Sequence, residues 1–191
     1  MKIIISPAKT FNLNNQIDKS TPRPKYIDIA KQIFKHIRSL SIEQTQQLYK
    51  LSNKKTQEVY KMHQEHGANL YYAIEVYAGQ VFKQLDLESY DKEWLNENVV
   101  ILDALYGVIK PFDLISPYRL DFNLKTDFIN LKEIWSNKIN EYFKDEEEII
   151  NLASKEYSQF INKDMTEFDF KGSSNIKIAR GKKLHDLIKK K

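Results

Sequence analysis

Apolar positions in this chain follow two different periods. Lys2-Ile-Ile-Ile5, Val99-Val-Ile-Leu102 and Ile149-Ile-Asn-Leu152 are short, nearly unbroken apolar runs of strand length, the pattern of strands covered on both faces. Elsewhere the spacing is three and four. Tyr26, Ile29, Ala30, Ile33, Phe34, Ile37 and Leu40 predict an amphipathic helix. Ser41-Ile-Glu-Gln44 is a capping box, so a second helix starts there. Residues 41–62 then predict two short helices, carrying Leu48 and Leu51, then Val59 and Met62, with Lys50-Leu-Ser-Asn-Lys-Lys55 at the bend. The spacing of Ala73, Ile74, Tyr77, Ala78, Val81, Phe82 and Leu85 predicts one core helix from Tyr71 to Leu85. Ile134, Trp135, Ile139, Tyr142 and Phe143 predict another, and Leu184, Leu187 and Ile188 a short one in the tail from Arg180. Pro22 and Pro24 make residues 12–25 a loop, the stretch with Leu87, Trp94 and Leu95 reads as a polar connection, an irregular or strand segment follows Phe122, and Glu167–Phe170 adds a strand. The whole predicts an α+β fold: one compact domain over residues 1–191, a small mixed sheet with surrounding helices.

Each apolar run empties into polar residues. The first gives Ser6-Pro-Ala-Lys-Thr10, the second the segment Leu105–Phe122, and the third Asn151, Ser154, Glu156 and Tyr157. Ligands bind outside the carboxyl ends of strands in open sheets flanked by helices, so these segments are expected to converge on one cleft. In the middle segment Pro111 and Pro117 restrict the chain on either side of Asp113, holding Lys110, Asp113 and Arg119 in place without regular structure. Whether Asp113 and Arg119 face a ligand or pair with each other is open at this point.

Composition narrows the chemistry. There is no cysteine, which excludes disulfides, zinc–thiolate and iron–sulfur centres and thiol catalysis. No segment reaches the roughly 20 apolar residues of a membrane span, and a cytoplasmic protein without membrane contacts is expected. The net charge of +4 is unevenly spread, with +7 in residues 1–65, −8 in 66–150 and +5 in 151–191. Terminal blocks that meet would make a basic face for a polyanion. His63 and His66 are three apart, but no third ligand follows at helical spacing, so neither a metal centre nor a cofactor is expected.

Three motifs, Ile5-Ser-Pro-Ala-Lys-Thr10, Leu105-Tyr-Gly-Val-Ile-Lys-Pro-Phe-Asp-Leu-Ile-Ser-Pro-Tyr-Arg-Leu120 and Asn151-Leu-Ala-Ser-Lys-Glu-Tyr157, resemble the YaaA peroxide-stress protein family in order and spacing. Lys177-Ile-Ala-Arg-Gly181 is similar to that family's late Ala-Arg-Gly motif. The resemblance implies an α+β domain with a positively charged cleft and a helix-hairpin-helix-like element, duplex DNA binding, and a role in limiting damage from peroxide and free iron. The departures are Gln80 where the family has Asp, Asp103-Ala104 in place of Ser-Gly, and residues 171–191, which read as a shortened basic C-terminal segment.

Two functions are carried forward. The first is a double-stranded-DNA-binding protein of the peroxide response. Its cleft would use Ser6, Lys9, Thr10, Tyr106, Lys110, Arg119, Asn151, Ser154 and Arg180, with Lys50, Lys54 and Lys55 on the hairpin meeting the phosphate backbone. The alternative is an enzyme acting on a nucleotide, nucleobase or damaged base in the same cleft, with Asp113 or Glu156 as general base and Tyr118 stacking on the base. The residues imply no protein partner. Four histidines and no cysteine argue against direct iron storage.

Overall fold

The computed structural model describes residues 1–124, 126 and 129–191. In chain order the elements are β1 (Lys2–Ile5), α1 (Ile27–Arg38), α2 (Ile42–Tyr49), α3 (Asn53–Gln64), β2 (Tyr71–Tyr72) and α4 (Ala73–Val76). Then follow α5 (Lys92–Asn98), β3 (Val99–Asp103), β4 (Gly107–Ile109), β5 (Leu114–Ile115), α6 (Leu131–Phe143), β6 (Ile149–Asn151), α7 (Lys155–Ser158), β7 (Thr166–Glu167) and α8 (Ile176–Lys189). The fold is α+β. β1 lies at the centre of a five-stranded sheet of order β4-β3-β1-β6-β7, parallel except for β4. The three apolar runs are therefore its three inner strands, and Ile3, Ile4 and Ile5 are wholly buried because helices and loops cover both faces.

The register aligns Ile5 with Ile101 and Ile4 with Asn151, so β1, β3 and β6 end together on one edge. β1 is followed on one side by β3 and on the other by β6. The chain reverses its direction of winding around β1, which is where an open sheet leaves a crevice at its carboxyl edge. Among the described residues no helix is long and apolar enough to cross a membrane.

The capping box forms as expected: Ser41 Oγ accepts from the Gln44 amide, and the Gln44 side chain accepts from the Ser41 amide. α2 and α3 make the expected helical pair, although α2 buries Thr45 and Tyr49 rather than Leu48. Lys50 closes α2 at φ 50°, the left-handed conformation that glycine usually supplies at a helix end.

Tyr71–Leu85 is not one helix. Tyr71 and Tyr72 pair antiparallel with Ile115 and Leu114, only Ala73–Val76 is α-helical, and Phe82–Gln84 forms a single 3-10 turn. The reason lies in where the backbone finds partners: the amides of Ala73 and Ile74 donate to the carbonyls of Asp113 and Pro111, and that of Ala78 donates to Thr10. Tyr77 bridges Phe11. The apolar period marks burial correctly, and distant segments supply the hydrogen bonds a helix would have made internally. The expected polar connection before β3 holds α5, capped by the Asp91 carboxylate on the amides of Glu93 and Trp94. β7 is displaced to Thr166–Glu167, and the last helix begins at Ile176, ahead of Arg180. Of the segment expected to be irregular or a strand after Phe122, Lys125, Asp127 and Phe128 lie outside the described residues.

Candidate functional site

At the carboxyl edge of the sheet lies a cavity of about 530 Å³. Ser6, Lys9 and Thr10 enter it from the end of β1, Ser154 and Glu156 from the segment after β6, and Arg180 from α8. Ser6 Oγ accepts from the Ser154 amide at 2.8 Å, which ties the exits of two adjacent strands together. Gly181 sets the depth of Arg180. A Cβ at this residue would stand 2.6 Å from the Val81 carbonyl oxygen, so only glycine lets α8 lie this close to the 79–84 segment. Gln80, at the family's acid position, lines the cavity together with Phe82, Lys83 and Lys177.

The charges in the cavity are not mutually neutralised. Lys9 Nζ pairs with Asp121 at 3.0 Å. No hydrogen bond or ion pair ties the side chains of Lys83, Lys177 or Arg180 to another described residue, and Arg180 Nε is buried without a partner. Burial holds the Arg180 guanidinium below its ordinary range, with Glu167 opposing the shift. Glu156 Oε1 is likewise buried and unpartnered. Burial pushes its carboxyl up and Asp121 adds to the rise, while Lys9 and backbone hydrogen bonds from Asn123 and Phe122 oppose it. A carboxyl so placed is suited to accept a proton or an N–H donor.

The middle segment contributes less than expected. Tyr118 and Arg119 line a narrow crevice beside the cavity, with Lys9, Asp121 and Tyr157. Tyr118 is 5% exposed and donates to Asp103, so its ring is a core group. Arg119 rests over Tyr49, 5.8 Å from the ring centre, and no ion pair joins it to Asp113. Asp113 is buried, with Oδ2 accepting from the Lys110 amide at 2.8 Å; it closes the turn at Pro111. Burial raises its carboxyl too, with the Lys110 amide opposing the rise. Lys110 is exposed on that turn and Tyr106 is wholly buried. Asn151 is occupied, donating to Glu167 at 2.7 Å and accepting from the Ala153 amide at 2.9 Å. Lys50 and Lys54 are exposed on the helical pair, whereas Lys55 is paired with Glu58 at 2.7 Å. Lys55 lines a second cavity of about 580 Å³, of which Lys9 and Thr10 form one wall.

Several residues to which the sequence gave no site role prove structurally important. Asp103 ends β3 fully buried, with Oδ1 accepting from the amides of Leu105 and Tyr106 and Oδ2 from the hydroxyls of Tyr77 and Tyr118. His63 and His66 sit in the core and are not arranged as ligands. His63 Nε2 accepts from the Arg119 amide, and His66 stacks on Phe34 at 3.8 Å while its Nδ1–H faces the Pro117 carbonyl at 3.1 Å. Among the described residues no group of three or more His, Cys, Asp or Glu could hold a metal ion. Lys177 was findable, since it stands one turn before Arg180 on the same helix.

The fold belongs to the α+β class, with the ends of parallel strands gathered around one cavity at the edge where open sheets leave a crevice. The family described as peroxide stress protein YaaA matches residues 1–191, and the chain belongs to that family. A UPF0246 protein of Finegoldia magna is 38% identical over 175 residues, covering 85% of this chain and 67% of the relative. Those of Clostridioides difficile and Fusobacterium nucleatum are 32% and 31% identical, covering 94% and 99% of this chain and 76% and 86% of theirs.

Proposed function

We propose that the protein binds duplex DNA through a basic face and thereby serves peroxide defence, limiting damage where peroxide and free iron would react on DNA. The observation that carries the proposal is the set of unpaired cations Lys83, Lys177 and Arg180 around a cavity that adjoins, through Lys9 and Thr10, the wall holding Lys55. Cations that make no ion pair with a protein carboxylate are the groups a phosphate backbone neutralises. Lys50 and Lys54 extend the face along the helical pair, and Lys55 joins it once its partner Glu58 is displaced. Peroxide stress enters from the family, DNA from the charge.

Fluorescence anisotropy of a labelled duplex against salt tests the proposal. The observed constant should fall linearly on a log–log plot, with a slope of about −0.9 per phosphate neutralised. Replacing Lys177 and Lys83 by Gln should weaken binding of all sequences alike and flatten that slope by about 1 per lysine that contacts phosphate. No binding at low salt, or binding indifferent to salt, would sink the proposal.

A further inference from the structure

Buried polar atoms without partners are rare in folded proteins, and each calls for an explanation. Among the described residues four such side-chain atoms occur, and two of them, Glu156 Oε1 and Arg180 Nε, belong to residues lining the same cavity. They carry opposite charge yet do not pair with each other. Lys9 is turned to Asp121, whereas Lys83, Lys177 and Arg180 make no ion pair with a described carboxylate; Arg180 feels Glu167 only at longer range and lies over the Phe170 ring. Phe82 and Tyr157, aromatic residues 8% and 6% exposed, contribute to the lining. A volume of about 530 Å³ lies in the usual range for small-ligand sites, about 300–1,000 Å³, and far below what a duplex occupies.

The geometry points to a binding site for a single nucleotide unit. Its phosphate lies on Lys83, Lys177 and Arg180, its base against Phe82 and Tyr157, and the N–H edge of that base on Glu156. Arginine supplies planar, bidentate donors to phosphate, and a carboxylate accepts the base's N–H groups. Inorganic phosphate leaves Glu156 unsatisfied, and an unphosphorylated nucleoside leaves the cations unsatisfied. The proposal deepens the DNA proposal at the same site and rests on it only for one of two sources, since the unit is either a free nucleotide or one turned out of a strand.

Calorimetric titration of the whole chain with guanosine 5′-monophosphate tests this, with inorganic phosphate and guanosine as controls. The monophosphate should bind at least about tenfold more tightly than either control, a difference of about 1.4 kcal/mol. Arg180→Gln should lower its affinity about tenfold or more. Glu156→Gln should weaken the monophosphate and leave phosphate unchanged. Lys83→Gln with Lys177→Gln, both at exposed positions, gives a second variant that leaves the core untouched; melting temperatures check all three. Monophosphate binding no tighter than phosphate, or unmoved by these substitutions, overturns the site.

A duplex carrying 2-aminopurine opposite an abasic position separates the sources. A fluorescence change abolished by Glu156→Gln places the unit in DNA, whereas a silent duplex with intact monophosphate binding places it in the free pool. Salt-dependent duplex binding without monophosphate binding defeats the nucleotide site alone. Monophosphate binding without duplex binding defeats the DNA proposal alone.

Discussion

Asp103 shows how much one side chain can organise. Its two oxygens accept four hydrogen bonds, from two amides that shape the turn into β4 and from two tyrosine hydroxyls. Burial raises its carboxyl, and the donors offset part of that rise by favouring the charged form. Asp103→Asn keeps an oxygen for the amides but sets an NH₂ group against the hydroxyls. Urea denaturation should show a loss of about 1–3 kcal/mol, and Asp103→Leu, which strands all four donors, a larger one. His63 and His66 are each depressed to about 4, by burial first, with His66 adding to the shift at His63 and the Pro117 carbonyl opposing it at His66. Well above pH 6.5 neither histidine is charged in either state. As pH falls from 6.5 towards 4 the unfolded chain takes up protons that the folded chain refuses, so stability is lost across that window. By pH 5 the linkage amounts to about 2 kcal/mol per histidine. The raised carboxyls of Asp103, Asp113 and Glu156 act with the opposite sign, taking up protons in the folded state first. Denaturation curves at pH 7 and pH 5 should therefore differ between the parent protein and His66→Phe, the variant being spared about 2 kcal/mol of the acid destabilisation.

Among the elements, glycines decide how closely pieces approach. Gly107 has φ 72°, and a Cβ there would fall 2.3 Å from the Trp135 ring, whose indole N–H donates to the Ala104 carbonyl. Gly107→Ala should therefore force α6 away from β4 and destabilise by more than about 2 kcal/mol, read as a lower denaturation midpoint. Gly181→Ala should lift α8 from the Val81 carbonyl and carry Arg180 with it, so that nucleotide binding weakens more than stability falls. Ser41→Ala removes the acceptor for the Gln44 amide and should lower stability by about 1 kcal/mol without touching either cavity. Elements with local causes were the legible ones. The Ser41 cap, the spacing in α1 and α6 and the three apolar runs are each set by neighbours in sequence. Tyr71–Leu85 was misread because its period reports burial, while its hydrogen-bond partners lie about 40 and about 70 residues away, at Pro111–Ile115 and Thr10–Phe11.

For the whole molecule, parallel pairing of β1 with β3 and β6 brings residues near positions 6, 80, 154 and 180 to one edge. Of the three segments expected to converge on one cleft, those after β1 and β6 line one cavity. The segment Leu105–Phe122 serves mainly as a wall, since Tyr106, Asp113 and Tyr118 spend their polar groups inside the fold. Its outward charge is Lys110 on the turn. The amino-acid sequence alone determined the three inner strands, the helical pair and its cap, the absence of thiol chemistry and the family, because each depends on local spacing, composition or long contiguous motifs. Tertiary structure alone decided which polar groups are spent and which are free. Asp113 is matched by its own turn, whereas Glu156 and Arg180, 24 positions apart in sequence, enter one cavity without pairing with each other, each with one buried polar atom unpartnered. A hydrogen bond is settled by distance and direction in space, and once chain crossovers bring remote segments together, spacing along the chain carries neither.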